Sequence, residues 1–136
     1  MRKILIDSGP LIALFDRDDD YHLAAKKFIQ ENQHELVTTI ASLTETLHLL
    51  DFNRNAQIDF LSWVSAGAVS IEAITANDLY RIKELMLKYA DLPMDFADAC
   101  LVLLAEKLKI NEIASVDRDF DIYRLNRKHT FTTYVK

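Results

Sequence analysis

The sequence predicts an α/β domain with a central, mostly parallel sheet of about five strands flanked by helices. Three observations predict it. Short apolar runs of strand length alternate with longer segments whose apolar residues recur at helical spacing. Half of the 136 residues are hydrophobic, enough for one core. With only two Gly and two Pro, and no Ser/Gly-rich spacer, low-complexity tract or internal repeat, nothing divides the chain. Residues 1–136 therefore read as a single domain.

The elements follow in order. Residues 3–7 form a short buried strand that ends at Asp7. Ser8 is the expected N-cap of the next helix, with Pro10 in its first turn, Gly9 serving the turn and Leu11 to Phe15 continuing it. The acidic run 16–20 reads as a solvated turn. Tyr21, Ala24, Ala25, Phe28 and Ile29 then share one helical face. Residues 36–39 are a second strand, followed by helices through Leu43, Leu47 and Leu50 and through Phe60, Leu61 and Val64, the latter ending near Gly67. Residues 69–74 alternate as a strand does. Thr75 to Asp78 start a helix carrying Leu79, Ile82, Leu85, Met86 and Tyr89. A helix over 94–108, a strand over 113–116 and a last strand over 131–135 complete the chain.

Composition excludes several classes. The single Cys100 cannot form an intramolecular disulfide, which points to a reduced, cytoplasmic setting. Only three apolar residues precede Asp7, too few for a signal segment, and no apolar stretch approaches a membrane span. The net charge of −5 speaks against a broadly basic nucleic-acid surface. That exclusion weakens once the charges are located: four separated carboxylates account for most of it. Residues 122–136 hold Arg124, Arg127, Lys128 and Lys136 and no acid, so a local phosphate-contacting patch is compatible with the chain. His22, His34, His48 and His129 make no zinc-ligand spacing with Cys100. Gly9 and Gly67 cannot build a phosphate-cradling loop, and no Gly-x-Ser-x-Gly elbow occurs. Trp63 and the tyrosines read as core or interface.

The four carboxylates are Asp7, Glu45, Asp98 and Asp117. In open α/β sheets ligands bind beyond the carboxyl ends of strands, where Asp7 and Asp117 fall, although Asp is also an ordinary turn former there. Asp119 and Asp121 compete with Asp117, and the strand boundary favours Asp117. Asp98 has Met94, Leu101 and Val102 among its helical neighbours and so faces the core side, while Asp95 fits the N-cap of that helix. Glu45 has Ala41 and Leu49 one turn away; a solvated helical Glu is the commoner fate, and the residues alone leave its role open. Ser115 is placed either to hold a carboxylate or a water, or to be satisfied by backbone. Buried carboxylates are costly unless paired, hydrogen-bonded or metal-bound. Four that converged would make a site for a hard divalent cation, Mg²⁺ or Mn²⁺, and so a candidate phosphodiester-cleaving centre.

Four segments together resemble the PIN-domain family of metal-dependent ribonucleases, most of all its VapC-type toxin members. They are Ile4-Leu5-Ile6-Asp7-Ser8-Gly9-Pro10-Leu11-Ile12-Ala13-Leu14, Glu45 with its helix, Asp95-Phe96-Ala97-Asp98-Ala99, and Ser115-Val116-Asp117-Arg118-Asp119-Phe120. Their order and spacing carry the resemblance. It implies a three-layer PIN-like fold and an acidic pocket that binds Mg²⁺ or Mn²⁺ and cuts RNA, leaving a 5′-phosphate. By position it assigns Asp7, Glu45, Asp98 and Asp117 as catalytic, metal-binding acids. Asp95 and Ser115 match accessory positions, with Asp119 beside them. It further implies a homodimer and, for toxin-like members, a small antitoxin that blocks the site. Arg118 or the basic C-terminal stretch would contact the RNA backbone. The alternatives are a non-catalytic PIN-like interaction module for nucleic acid or protein, and another Mg²⁺-dependent α/β enzyme. The latter fits less well: a covalent-Asp phosphatase commonly carries Asp two residues on, where this chain has Gly9, and a receiver domain needs a late strand-end Lys that Ser115-Val116-Asp117 does not offer.

Overall fold

The computed structural model describes residues 2–126 and 129–136. Strands β1 (Lys3–Ile6), β2 (Glu35–Thr38), β3 (Ser70–Ile71), β4 (Glu112–Ser115) and β5 (Thr132–Val135) form one parallel sheet in the order β3-β2-β1-β4-β5. Helices α1 (Ser8–Phe15), α2 (His22–Glu31), α3 (Ile40–Leu49), α4 (Arg54–Ser65), α5 (Leu79–Lys88) and α6 (Phe96–Leu108) connect the first four strands. A single 3-10 turn, Arg118–Asp121, follows β4.

The period of two along each strand divides the core between the two sheet faces. Leu5 lies opposite Val37 on one side and Ile113 on the other. These three join Ile82 and Leu85 of α5 and Leu101 and Leu104 of α6 in one cluster. Ile4 and Ile6 point the other way with Leu36 and Ala114, onto Leu11 of α1, Leu43 of α3 and Phe60 of α4. Burial on both faces explains why the strands read as continuous apolar runs. Helix α6 is the most enclosed helix, buried without a break from Ala97 to Ala105. No helix among the described residues is long and apolar enough to cross a membrane.

The strand order fixes where a site can form. From β1 the chain moves outward to β2 and β3, then returns across the sheet through α5 and α6 to β4, on the opposite side of β1. The direction of progression therefore reverses between β1 and β4, and a crevice opens beyond the carboxyl ends of those two strands. Asp7 and the turn carrying Asp117 emerge there from neighbouring strands, with Asp7 N–H bonded to Ala114 C=O at 3.0 Å.

Three expectations change. The cap of α1 is Asp7, whose Oδ1 accepts the Ser8 N–H at 2.8 Å, so Ser8 is the first helical residue. The strand expected over 69–74 shrinks to Ser70–Ile71 with one further bond, Glu72 N–H to Thr38 C=O at 2.9 Å. It is an edge strand paired on one side only, and its Ile71 is 43% exposed. Gly9 lies inside α1 and its φ is not positive, so the turn does not require it. Close approach does: a Cβ at position 9 would collide with Cγ2 of Val116, the residue just before Asp117.

Gly9→Ala is accordingly expected to destabilise the protein by about 1–3 kcal/mol, the usual cost of overpacking, read as a lower urea midpoint with unchanged m-value. An unchanged midpoint would mean that Val116 yields without cost.

Candidate metal centre

Asp98 and the Arg118–Asp121 turn build the centre. Carboxylate oxygens of Asp98, Asp117 and Asp119 lie within 4.8 Å of one another, the one group of three or more potential metal-ligating side chains that the described residues bring so close. Asp98 is only 7% exposed and sits in the first turn of α6, where Asp95 caps the helix by accepting the Asp98 N–H at 2.8 Å. Asp95 is thus the cap and Asp98 faces inward, as the apolar row around Asp98 predicts. Asp117 caps the 3-10 turn, its Oδ1 accepting the Asp119 N–H at 2.9 Å.

Asp7, 4% exposed, stands beside this triplet. Its Oδ2 accepts the Ser115 hydroxyl at 3.1 Å, and Ser115 Oγ in turn accepts the Asp117 N–H at 3.0 Å. The fully buried Ser115 therefore ties the ends of β1 and β4 together, holding a carboxylate and satisfying backbone at once. Glu45 reaches in from α3 and accepts the Ser8 hydroxyl. The negative charge of Glu45 acts on Asp7, and that of Asp7 on Asp98. The four predicted acids thus converge, in two halves: Glu45 and Asp7 on one side, Asp98 and Asp117 on the other. Asp119 joins the second half more closely than an accessory place implied. Asp121 does not; it is exposed and paired with Lys136 at 2.6 Å.

Electrostatics mark the cluster. Burial pushes the Asp7 carboxyl up to about 7, with the charges of Glu45 and Asp117 adding to it against hydrogen bonds from Ser8 and Ser115. Asp98 is raised to about 8, first by burial and then by Asp7 and Asp95. Asp119 is raised as well, by desolvation and by Asp117. Like charges held together out of water hold their protons. A divalent cation relieves that repulsion, and the donor set suits one. All the donors are carboxylate oxygens, the preference of Mg²⁺ and Mn²⁺ rather than of zinc. Three carboxylates brought this close would offer the several oxygen ligands that such an ion takes.

Two supporting hydroxyls carried no sequence signal. Ser8 was expected as a cap, yet its hydroxyl is spent on Glu45. Tyr123 is fully buried, and its hydroxyl donates to Asp98 Oδ2 at 3.0 Å. The basic C-terminal stretch is partly committed to the fold. Arg124 Nη1 donates to the carbonyls of Asp121, Ile122 and Tyr123, and Lys136 is held by Asp121. Arg118 is exposed. Arg127 and Lys128 lie outside the described residues. Beside Glu45 and Asp95 opens an apolar groove of about 1020 Å³, edged by the exposed side chains of Ile40, Leu79 and Phe96.

A doubly wound parallel sheet with carboxylates gathered at its switch point defines an α/β domain with a candidate metal site. The chain belongs to the PIN domain family, whose profile matches residues 4–125. It is 26% identical over 117 residues to Ribonuclease VapC26 of Mycobacterium tuberculosis strain H37Rv, a match covering 85% of this chain and 87% of that protein. Its fold is similar to the crystal structure of M. tuberculosis VapC20, a sarcin-ricin loop cleaving toxin. That likeness has a TM-score of 0.80 at 22% identity, over 88% of this chain and 93% of the other.

The raised acids set a pH dependence. Folded, metal-free protein keeps protons on Asp7 and Asp98 that the unfolded chain releases near its ordinary value of 3.8. Their contribution to stability therefore declines as pH rises from about 4 towards 8. In chelator, Asp7→Asn is expected to raise the thermal midpoint at pH 8 by several degrees and to flatten its pH profile. A profile identical to wild type would show that Asp7 does not sit among like charges.

Proposed function

We propose that the chain acts as a single-domain, metal-dependent endoribonuclease of the VapC toxin type. In this reading Asp7, Glu45, Asp98 and Asp117 are its catalytic acids and Mg²⁺ or Mn²⁺ its cofactor. The observation that carries the reading is the convergence of these carboxylates beyond β1 and β4 with three acid oxygens within 4.8 Å. Family membership and the similarity to a curated ribonuclease support it. A non-catalytic module that used its acids as surface charge has no need to bury them, and Asp7 and Asp98 are 4% and 7% exposed.

The residues divide the work. Asp98 and Asp117, with Asp119, would hold the ion. Asp7, fixed by Ser8 N–H and the Ser115 hydroxyl, would complete the pocket on the β1 side. A bound Mg²⁺ or Mn²⁺ would supply Lewis-acid activation of water and neutralise charge growing on the phosphate. Glu45, less buried than Asp7 and steadied by Ser8, would orient the attacking water and take its proton. Arg118, exposed beside Asp117, is the cation we assign to the RNA backbone. The reading also carries a small inhibitory antitoxin and a homodimer as partners. The exposed Ile40, Leu79 and Phe96 along the groove beside Glu45 are the kind of surface that a protein contact covers.

Asp7→Asn and Asp98→Asn should each lower Mn²⁺-dependent cleavage of RNA by at least about 100-fold while circular dichroism shows the fold retained. The wild-type products should carry 5′-phosphates. Cleavage that survives both substitutions would assign the activity to another site or to a contaminant.

A further inference from the structure

We infer that Tyr123 is a positioning residue of the metal centre, the strut that sets Asp98 against the Asp117–Asp119 turn. The inference rests on the metal-site reading above.

Three contacts carry it. The Tyr123 hydroxyl donates to Asp98 Oδ2 at 3.0 Å, and among the described residues Oδ1 has no hydrogen bond, which leaves it to a ligand. The Tyr123 backbone N–H donates to the Asp119 carbonyl at 3.0 Å and so closes the turn that presents Asp117 and Asp119. The ring is clamped edge-on by Tyr89 at 4.9 Å and Phe120 at 5.1 Å between ring centroids. The Tyr89 hydroxyl is turned to backbone instead, its oxygen accepting the Arg124 N–H at 3.0 Å. One side chain therefore spans both sides of the triplet: its hydroxyl grips the acid on α6, while its backbone fixes the turn after β4.

The hydroxyl is the informative atom. Packing alone asks only for an aromatic ring, and Phe120 and Phe131 fill the same cluster without one. A buried phenol needs a hydrogen-bond partner, and the partner here is an acid of the triplet. An O–H donor to a metal-binding carboxylate fixes its rotamer.

The test compares wild type, Tyr123→Phe, Tyr89→Phe and a variant with p-aminophenylalanine at position 123, which keeps an N–H donor at the same place. Mn²⁺ is the probe, titrated calorimetrically, and thermal midpoints are read in EDTA and in Mn²⁺. Tyr123→Phe is expected to raise the Mn²⁺ dissociation constant about 10-fold, the usual cost of losing a partner that orients a metal ligand. The metal-induced rise in midpoint should shrink with it. Tyr89→Phe, whose hydroxyl faces Arg124, should leave Mn²⁺ affinity at the wild-type value, and the p-amino variant should restore most of the loss. For RNA cleavage, the Mn²⁺ concentration for half-maximal rate should rise while kcat at saturating Mn²⁺ stays within roughly threefold. Unchanged Mn²⁺ affinity in Tyr123→Phe, whatever its midpoint in EDTA, would reduce Tyr123 to a core residue and overturn the inference alone. A Tyr123→Phe chain that does not fold leaves the decision to the p-amino variant: wild-type affinity there supports the strut, and a 10-fold loss overturns it. Absence of saturable Mn²⁺ binding in wild type would overturn the metal-site reading and the inference with it.

Discussion

The site depends on β1 and β4 lying side by side in parallel. Because they run the same way, the chain leaves both at one end. Because the sheet order reverses between them, no connection of the α/β type fills the space beyond. Five acids gather towards that space: Asp7 at the end of β1, Asp117 and Asp119 after β4, Asp98 from α6 and Glu45 from α3. The Ser115 hydroxyl makes the adjacency specific by bonding to Asp7 while accepting the Asp117 N–H. The fold thus does what like charges resist: it brings carboxylates of Asp98, Asp117 and Asp119 within 4.8 Å of one another and buries Asp7 and Asp98.

How the protein tolerates this is visible in the elements that begin at the site. Asp7 caps α1, Asp95 caps α6, Thr39 caps α3 and Asp117 caps the 3-10 turn. Helix N-termini carry partial positive charge and unpaired N–H groups, which favour nearby carboxylates. Such ends offset part of the repulsion, and Lys136, which donates to the Asp117 carbonyl at 3.3 Å and is paired with Asp121, adds a positive charge that acts on Asp119. Among the described residues no salt bridge reaches Asp7, Glu45, Asp98, Asp117 or Asp119. A lysine or arginine there would compete with the cation that the pocket is suited to hold.

Much of this was legible in the chain, for physical reasons. Strands buried on both faces are written as apolar runs, and β1, β2 and β4 stand where those runs do. Asp98 declared itself by its apolar neighbours, since a carboxylate in such a row must face the core. Asp95 declared itself as a cap by its position. The misplaced readings come from interactions distant in sequence. Ser8 looks like a cap because caps are local, but its hydroxyl partner Glu45 is 37 residues away. Gly9 looks like a turn glycine because nothing nearby shows that Val116 presses on it from β4's end. Tyr123 offers only an aromatic between Ile122 and Arg124, and its bond to Asp98 exists only once the turn after β4 packs on α6. Glu45 was open on its own helix, and it meets Ser8 and acts on Asp7 only because α3 lies beside α1. The edge strand β3 shows the opposite error: good alternation over 69–74 promised more strand than one pairing partner could hold.

Caps and candidate ligands are the same residues at Asp7 and Asp117, and this bears on what the centre can do. A carboxylate that accepts a backbone N–H with one oxygen has lost most of its rotational freedom before any ion arrives. Asp7 is held at both oxygens, Asp117 at Oδ1 by the Asp119 N–H, and Asp98 at Oδ2 by Tyr123. Two of the three acids keep the other oxygen out of these bonds. Ordering of flexible ligands is a large part of the cost of binding, and here folding meets it. Mg²⁺ tolerates little departure from its octahedron, so ligands fixed in advance favour a small hard ion over one that accepts loose geometry. The same fixation prevents the metal-free acids from swinging apart to relieve their repulsion. Burial first, and then the neighbouring charges, raise Asp7 to about 7 and Asp98 to about 8 against the hydrogen bonds that fix them. The raised pKa values and the metal pocket thus both follow from acids that are buried and held close together, and separating them to stabilise the metal-free protein would also loosen its hold on the ion.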